Sequence, residues 1–147
     1  MAGLQSIGDR LLVIYDGHCG LCNGWVQWLL RRDRNDRLRF APFSPPELAP
    51  LLAQNPDVLD HSGTPGTILV FRAHIHPDSR PLMRSQAALA VLRELPAPWP
   101  AIATLLGWIP LFLRDPIYRF IARWRYRIWG RLANCPIPTP QQRERFL

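Results

Sequence analysis

The stretch LLVIYDGHCGLCNGWVQWLLRRD, from Leu11 to Asp33, decides the fold of this chain. Its first five residues are a continuous apolar run, which is typical of a buried central strand. After Cys22, apolar residues recur at positions 26, 29 and 30, the spacing of one helix face. The stretch therefore predicts a strand from Leu11 to Tyr15, a short turn, and a helix from Gly20 to Arg32.

Two cysteines, Cys19 and Cys22, lie at the turn between this strand and this helix. The first N–H groups of a helix lack intrahelical partners and favour negative charge, so Cys19 should hold a thiolate more readily than a free cysteine does. Cys22 shares the apolar helix face, and we expect it to be the less exposed sulfur. The spacing predicts thiol-disulfide exchange in which Cys19 attacks and Cys22 resolves the mixed disulfide.

Two polar residues next to the cysteines are further candidates. Asp16 fits two roles that do not exclude each other: a proton acceptor for Cys22, or a turn residue that orders the loop through backbone hydrogen bonds. His18 would stabilise a Cys19 thiolate when protonated, although a partly exposed loop histidine is the simpler interpretation.

A Cys-x-x-Cys pair is also half of a zinc site, and it can be purely structural. The candidates for a second ligand pair, His74 and His76, lie beside the turn signal Pro77-Asp78-Ser79 and indicate an exposed hairpin end. We therefore expect no metal and no other cofactor. The third cysteine, Cys135, is most simply an ordinary buried or terminal residue, with a third redox role as the alternative.

Patterns along the rest of the chain complete an α/β order of βαβ followed by ββα. The predicted elements are strand Leu38 to Phe43, helix Glu47 to Gln54, hairpin strands Thr67 to Arg72 and Arg80 to Met83, and a helix capped by Ser85 and stopped by Pro96. The proline-rich stretch Pro96 to Pro100 marks a boundary. We predict a core at residues 1–96 and a C-terminal helical arm at 97–147, packed on the core as a single globular domain.

The arm is apolar first and basic afterwards. Ala101 to Leu113 carries no charge, and the next twenty residues hold a single acid and six arginines, at positions 114, 119, 123, 125, 127 and 131. A helix would place Ile117, Phe120, Ile121, Trp124 and Ile128 on one face and Arg119, Arg123 and Arg127 on another. We expect the apolar face to pack on the core. The alternative is peripheral membrane or protein contact through Arg114 to Arg131; nucleic acid is disfavoured because no binding module is present.

Composition narrows the function further. A chain of 147 residues with 48% hydrophobic content can bury a core without disulfide staples. All 18 basic residues are arginine, which excludes Schiff-base chemistry and a phosphate-loop lysine. The first nine residues lack a secretory pattern, so we predict a cytoplasmic location in which the dithiol rests reduced.

The segment from Tyr15 to Cys22, YDGHCGLC, resembles the signature of the DCC family of thiol-disulfide oxidoreductase-like proteins. Further segments resemble the middle and C-terminal parts of that family: Arg84 to Leu89, Ile117 to Arg119, Arg125 to Arg127, and Cys135-Pro136. The resemblance implies a thioredoxin-like fold and a dithiol-disulfide activity on a disulfide-containing protein or small thiol, with Asp16, Cys19 and Cys22 as the matching residues. Proteins of this fold carry a proline, usually cis, beside the active site, and Pro65 is the approximate match.

Overall fold

A four-stranded mixed sheet forms the centre of the protein. The computed structural model describes residues 7–43, 48–58, 68–72, 80–130 and 139–146, except for the side chain of residue 126. The sheet order is β2-β1-β3-β4, with strands β1 (Leu11–Tyr15), β2 (Leu38–Pro42), β3 (Leu69–Phe71) and β4 (Leu82–Met83). Strand β1 pairs in parallel with β2 and antiparallel with β3, which pairs antiparallel with β4. Every residue of β1 is buried, as predicted for a central strand.

Helices complete the βαβ and ββα order of a thioredoxin-like core, as predicted. They are α1 (Gly20–Arg32), α2 (Ala49–Ala53), α3 (Arg84–Arg93), α4 (Trp99–Gly107) and α5 (Leu111–Trp129), with short 3-10 turns at Pro56–Val58 and Arg143–Arg145. None of the helices in these described ranges is long and apolar enough to cross a bilayer.

The alternation of side chains along β1 gives the sheet two buried faces. Val13 and Tyr15 point to the face that α1 and α3 cover, and both cysteines belong to this part of the core. Leu12 and Ile14 point to the opposite face, where they pack with residues of α2 such as Leu51. The dithiol is thus built into one face of the central sheet.

Several predicted boundaries shift by a few residues. Strand β2 ends at Pro42, the short helix spans Ala49–Ala53, and the hairpin strands shorten to Leu69–Phe71 and Leu82–Met83. The predicted hairpin turn at 78 and 79 lies outside the described residues.

The predicted cap of α3 is wrong. The helix begins at Arg84, and Met83 occupies the N-cap position without a side-chain hydrogen bond. The Ser85 hydroxyl instead donates to Asp115 Oδ1 at 2.5 Å and accepts from Arg114 Nε at 3.1 Å. Ser85 therefore joins α3 to α5, because the polar start of α5 occupies its side chain.

The predicted orientation of α5 is also wrong. Helix α4 packs against α3, and α5 contacts both α1 and α3. The inward side of α5 carries Tyr118 and the buried Arg125, whereas Ile117, Phe120 and Ile128 are each at least 60% exposed. The polar side turns inward because it finds partners there: Ser85 bonds Asp115, and the Ile68 N–H donates to Tyr118 Oη at 3.5 Å. The division between residues 1–96 and 97–147 stays a prediction.

The C-terminal segment is tied to the outer strand of the sheet. Phe146 forms an isolated parallel bridge with Phe40 of β2, and the two ring centroids lie 5.8 Å apart. Arg145 forms ion pairs with Asp33 at 2.7 Å and with Asp36 at 3.0 Å. These contacts hold the segment along β2.

Candidate active site

The two cysteines occupy the first turn of α1, directly after the loop that leaves β1. Cys19 is the N-cap residue, with extended backbone angles, and its Sγ accepts a hydrogen bond from the Cys22 N–H at 3.3 Å. In most helices a hydroxyl or carboxylate oxygen satisfies this N–H group. Here a sulfur does so, which places Cys19 where backbone N–H groups stabilise a thiolate.

The two sulfurs have opposite tendencies to lose a proton. The pKa of Cys19 falls to about 6, chiefly because the Cys22 side chain donates to it, with further lowering by the Cys22 N–H and the positive charge of Arg125. The pKa of Cys22 is raised by that same hydrogen bond, by burial and by the negative charge of Cys19. At neutral pH the pair therefore holds one proton, and Cys22 carries it.

The expectation that Cys22 is the less exposed sulfur is wrong. Cys19 has no exposed surface, and Cys22 is 7% exposed. The carboxyl end of α5 lies over the start of α1: the Gly20 N–H donates to the Gly130 carbonyl at 3.4 Å, and a Cβ on Gly20 would lie 2.6 Å from the Trp129 carbonyl oxygen. This contact closes the amino end of α1, directly after Cys19 in the chain.

Asp16 lies between the loop and the arm. Its Oδ1 accepts from the His18 N–H at 2.9 Å, which is the predicted turn geometry. Its Oδ2 lies 3.5 Å from Arg125 Nη2. The His18 residue is exposed beside the site, and its tuning role stays a prediction.

Two residues in the site carry no local signal in the sequence. Asn23 Nδ2 donates to the carbonyls of Gly17 at 2.6 Å and Cys19 at 3.0 Å, which fixes the loop against α1. Arg125 brings its Nη1 to 3.9 Å from Cys22 Sγ and is only 8% exposed, although 103 positions separate the two residues in the chain. The resemblance of Arg125 to Arg127 to a family segment marked this region without giving it a role.

Four other residues considered in the sequence analysis fall outside the described residues: Pro65, Cys135, His74 and His76. The link between α3 and α4 contains a cis peptide bond, Ala97–Pro98. Within the described ranges, no three His, Cys, Asp or Glu side chains cluster closely enough to hold a metal ion.

Fold and site together define a thioredoxin-like protein with a dithiol at the start of its first helix. Residues 13–131 match the model of the DCC1-like thiol-disulfide oxidoreductase family, and the chain belongs to that family. The predicted resemblance is thus confirmed, and the match supports a redox role for the Cys19–Cys22 pair.

Two curated relatives align with most of the chain. An uncharacterized Bacillus subtilis protein, YuxK, is 33% identical over 143 residues, which cover 97% of each chain. A DCC family protein of Arabidopsis thaliana, At1g52590, described as chloroplastic, is 30% identical over 87% of this chain and 70% of its own length. No solved structure gives a significant match.

Proposed function

We propose that the protein is a thiol-disulfide oxidoreductase in which Cys19 attacks and Cys22 resolves. One observation carries this proposal: the Cys19 sulfur caps α1 and accepts the Cys22 N–H at 3.3 Å. Helix N-termini stabilise anions at this position, and a thiolate is the species that attacks disulfides. The family match supports the same chemistry.

The cycle needs only the two sulfurs and a substrate disulfide. The Cys19 thiolate attacks one substrate sulfur, which forms a mixed disulfide and releases the other substrate sulfur as a thiolate. Cys22 then loses its proton, attacks Cys19 Sγ and forms the Cys19–Cys22 disulfide, and the second substrate thiolate leaves. The substrate gains two electrons and the protein loses two, and the reverse sequence oxidises a dithiol substrate.

Asp16 is our candidate for the proton acceptor of Cys22. Its negative charge is one of the causes of the raised pKa of Cys22, and both groups contact the guanidinium of Arg125. An Asp16→Asn variant should keep the attack of Cys19 and slow the resolving step. Equal slowing of both steps would leave Asp16 with the turn role alone. His18 and Pro65 stay candidates for tuning the reactivity of Cys19.

We propose a disulfide-containing protein or a small thiol as the substrate, and the cytoplasm as the compartment. A glutathione pool would keep the dithiol reduced there unless it is turning over. Because Cys19 has no exposed surface, a protein substrate requires the site to open, and we propose that the end of α5 moves away from Gly20. A small disulfide needs a smaller opening.

The direct test is a redox titration of the purified protein. The protein is equilibrated in glutathione buffers of graded potential, free thiols are alkylated, and mass spectrometry maps Cys19, Cys22 and Cys135. We expect a reversible Cys19–Cys22 disulfide and loss of disulfide reduction in Cys19→Ser, with Cys135→Ser as the matched control. Absence of the bridge at every potential, or unchanged activity in Cys19→Ser, would refute the mechanism.

The exposed apolar face of α4 and α5 favours a second candidate function, docking on an anionic membrane surface. Trp108 and Phe112 are 76% and 72% exposed, and the apolar face of α5 continues the patch to Ile128. A continuous apolar surface of this kind marks an interaction site. Arg119, Arg123 and Arg127 are exposed along α5 and complement anionic headgroups. A second copy of the chain is a less suitable partner for this surface, because the arginines of the two copies would repel one another.

Vesicle sedimentation tests the docking. We expect binding to vesicles that contain phosphatidylglycerol, weaker binding at high salt, and little binding to phosphatidylcholine alone. A Phe112→Ser, Phe120→Ser double variant should lose binding, whereas Arg34→Gln, a charge change on the exposed loop after α1, should keep it. No binding to anionic vesicles would remove this function, and salt-independent binding would refute the arginine contribution.

A further inference from the structure

We propose that Arg125 is a catalytic residue of the dithiol: its guanidinium stabilises the negative charge that forms on Cys22 Sγ when Cys22 attacks the mixed disulfide. The inference rests on the proposed oxidoreductase function. It makes α5, which lies outside the predicted core, part of the active site. No pattern in the sequence distinguishes Arg125 from the other arginines of the helix.

The burial of Arg125 is the first evidence. It is 8% exposed, whereas Arg119, Arg123 and Arg127 on the same helix are exposed. Burying a guanidinium is costly unless opposite charge and hydrogen-bond acceptors compensate. A cation at this depth therefore has to be held by the groups that surround it.

Two of those groups belong to the dithiol site. Arg125 Nη2 lies 3.5 Å from Asp16 Oδ2, and Nη1 lies 3.9 Å from Cys22 Sγ. A planar guanidinium presents its two terminal nitrogens in a fixed fork, so it can contact a carboxylate and a sulfur at the same time. The geometry assigns one nitrogen to each partner and keeps Asp16 near the resolving sulfur.

The negative charge of the site moves during the cycle. Arg125 acts at the resolving step, in which the charge forms on the buried Cys22 sulfur. In the resting pair the thiolate sits on Cys19, where N–H groups of α1 stabilise it. During resolution Cys19 is bound in the mixed disulfide, and the negative charge must form on Cys22. Burial raises the pKa of that sulfur. Arg125 is the cation that the structure places on it.

Dipyridyl disulfide separates the two steps with a small, uncharged reagent. Every protein in this test carries Cys135→Ser, so that the third cysteine releases no thiopyridone. Attack by Cys19 then releases the first thiopyridone and resolution by Cys22 releases the second, so stopped-flow absorbance shows two phases. We expect Arg125→Gln to slow the second phase about tenfold or more, the scale of a lost hydrogen bond to a charged group, and to slow the first phase less. Arg34→Gln removes an exposed arginine from the loop after α1 and should leave both phases within about twofold of the Cys135→Ser parent.

The outcomes separate this role from the oxidoreductase function itself. One equivalent of thiopyridone from the Cys135→Ser parent, or two after Cys22→Ser is added to it, would refute the proposed function. Two phases in the Cys135→Ser parent with equal second phases in Arg125→Gln and Arg34→Gln would overturn the role of Arg125 alone. If Arg125→Gln does not fold by circular dichroism, Arg125→Met serves, since it keeps much of the length of the side chain and removes its charge. We expect a slower second phase than in Arg34→Met, and equal second phases would overturn the role.

Discussion

Replacing Gly20 by alanine should open the dithiol. The new Cβ would lie 2.6 Å from the Trp129 carbonyl oxygen, and ordinary contact begins at 3.4 Å, so one backbone must shift by about 0.8 Å. The oxygen belongs to the backbone and cannot rotate away as a flexible side chain can. Overpacking of this kind typically costs about 1–3 kcal/mol, which we expect the closed contact between α1 and the end of α5 to bear.

The expected magnitude follows from the population of the open form. If alkylation of Cys19 occurs only when the end of α5 moves away, destabilising the closed form by about 1–3 kcal/mol raises the rate about 5- to 150-fold. The assay is the alkylation rate of Cys19 by iodoacetamide, measured well above the pKa of Cys19 so that the thiolate fraction is constant. Urea unfolding of the same samples gives the change in global stability.

Gly24 provides the matched control on the same helix. It is exposed, and nothing lies within 4 Å of the position of its Cβ, so Gly24→Ala should leave the alkylation rate unchanged and stabilise α1 by up to about 1 kcal/mol. An alkylation rate in Gly20→Ala within twofold of wild type would refute the closure. Equal rises in both variants would point to general loosening of α1 instead.

Three further predictions follow from the ionisable groups Cys19, Asp36 and Asp33. The alkylation rate of Cys19 should rise with pH through a midpoint near 6. Cys22→Ala should move that midpoint upward, because the hydrogen bond from the Cys22 side chain is the largest cause of the low pKa of Cys19. A wild-type midpoint at the ordinary pKa of a thiol would contradict the lowered pKa. Hydrogen bonds and ion pairs with arginines, Arg39 first, lower the pKa of Asp36 from 3.8 to about 2. Asp36 therefore contributes stability that is fully present above pH 4 and lost as the pH falls toward 2. The urea midpoint of Asp36→Asn should change less over that window than that of the wild type, and parallel curves would count against it. The buried Asp33 carboxylate accepts hydrogen bonds from two backbone N–H groups, at 2.9 and 3.0 Å. Asp33→Asn should therefore lower the free energy of unfolding in urea by about 1.5–3 kcal/mol, whereas Asp57→Asn at an exposed turn should leave it almost unchanged. Equal urea midpoints of the two variants would show that the charge of Asp33 contributes little.

Local periodicity in the sequence is enough to predict β1, α1 and the place of the cysteines. The unbroken apolar run from Leu11 to Tyr15 occurs in a strand buried on both faces, and the recurrence of Val26 and Leu29 fixes the buried side of α1. Cys19 and Cys22 lie at the junction of these two signals. Their first-turn geometry follows from local structure alone, so the candidate nucleophile and its partner could be named without coordinates.

The contribution of α5 could not be predicted because it depends on tertiary partners. Amphipathic spacing indicates which residues share a face, but it does not say which face turns inward. Arg125 is buried because Asp16 and Cys22 lie opposite it, at the end of another element. Ser85 is drawn from its expected cap to Asp115 for the same kind of reason. Composition favours burial of the apolar face, and here the polar contacts of the inward face prevail.

The contact between Phe146 and β2 also affects whether the edge of the sheet can pair with another chain. Strands β2 and β4 are the two edges, and β4 is only two residues long, too short to template much pairing. Strand β2, with the sequence LRFAP, is the longer edge and the one more able to pair with a strand of another chain. The bridge to Phe40 and the ion pair between Arg145 and Asp33 place a segment of the same chain alongside it. The C-terminal segment thus covers this edge and opposes edge-to-edge aggregation. Its detachment would expose an apolar strand with which other chains could pair.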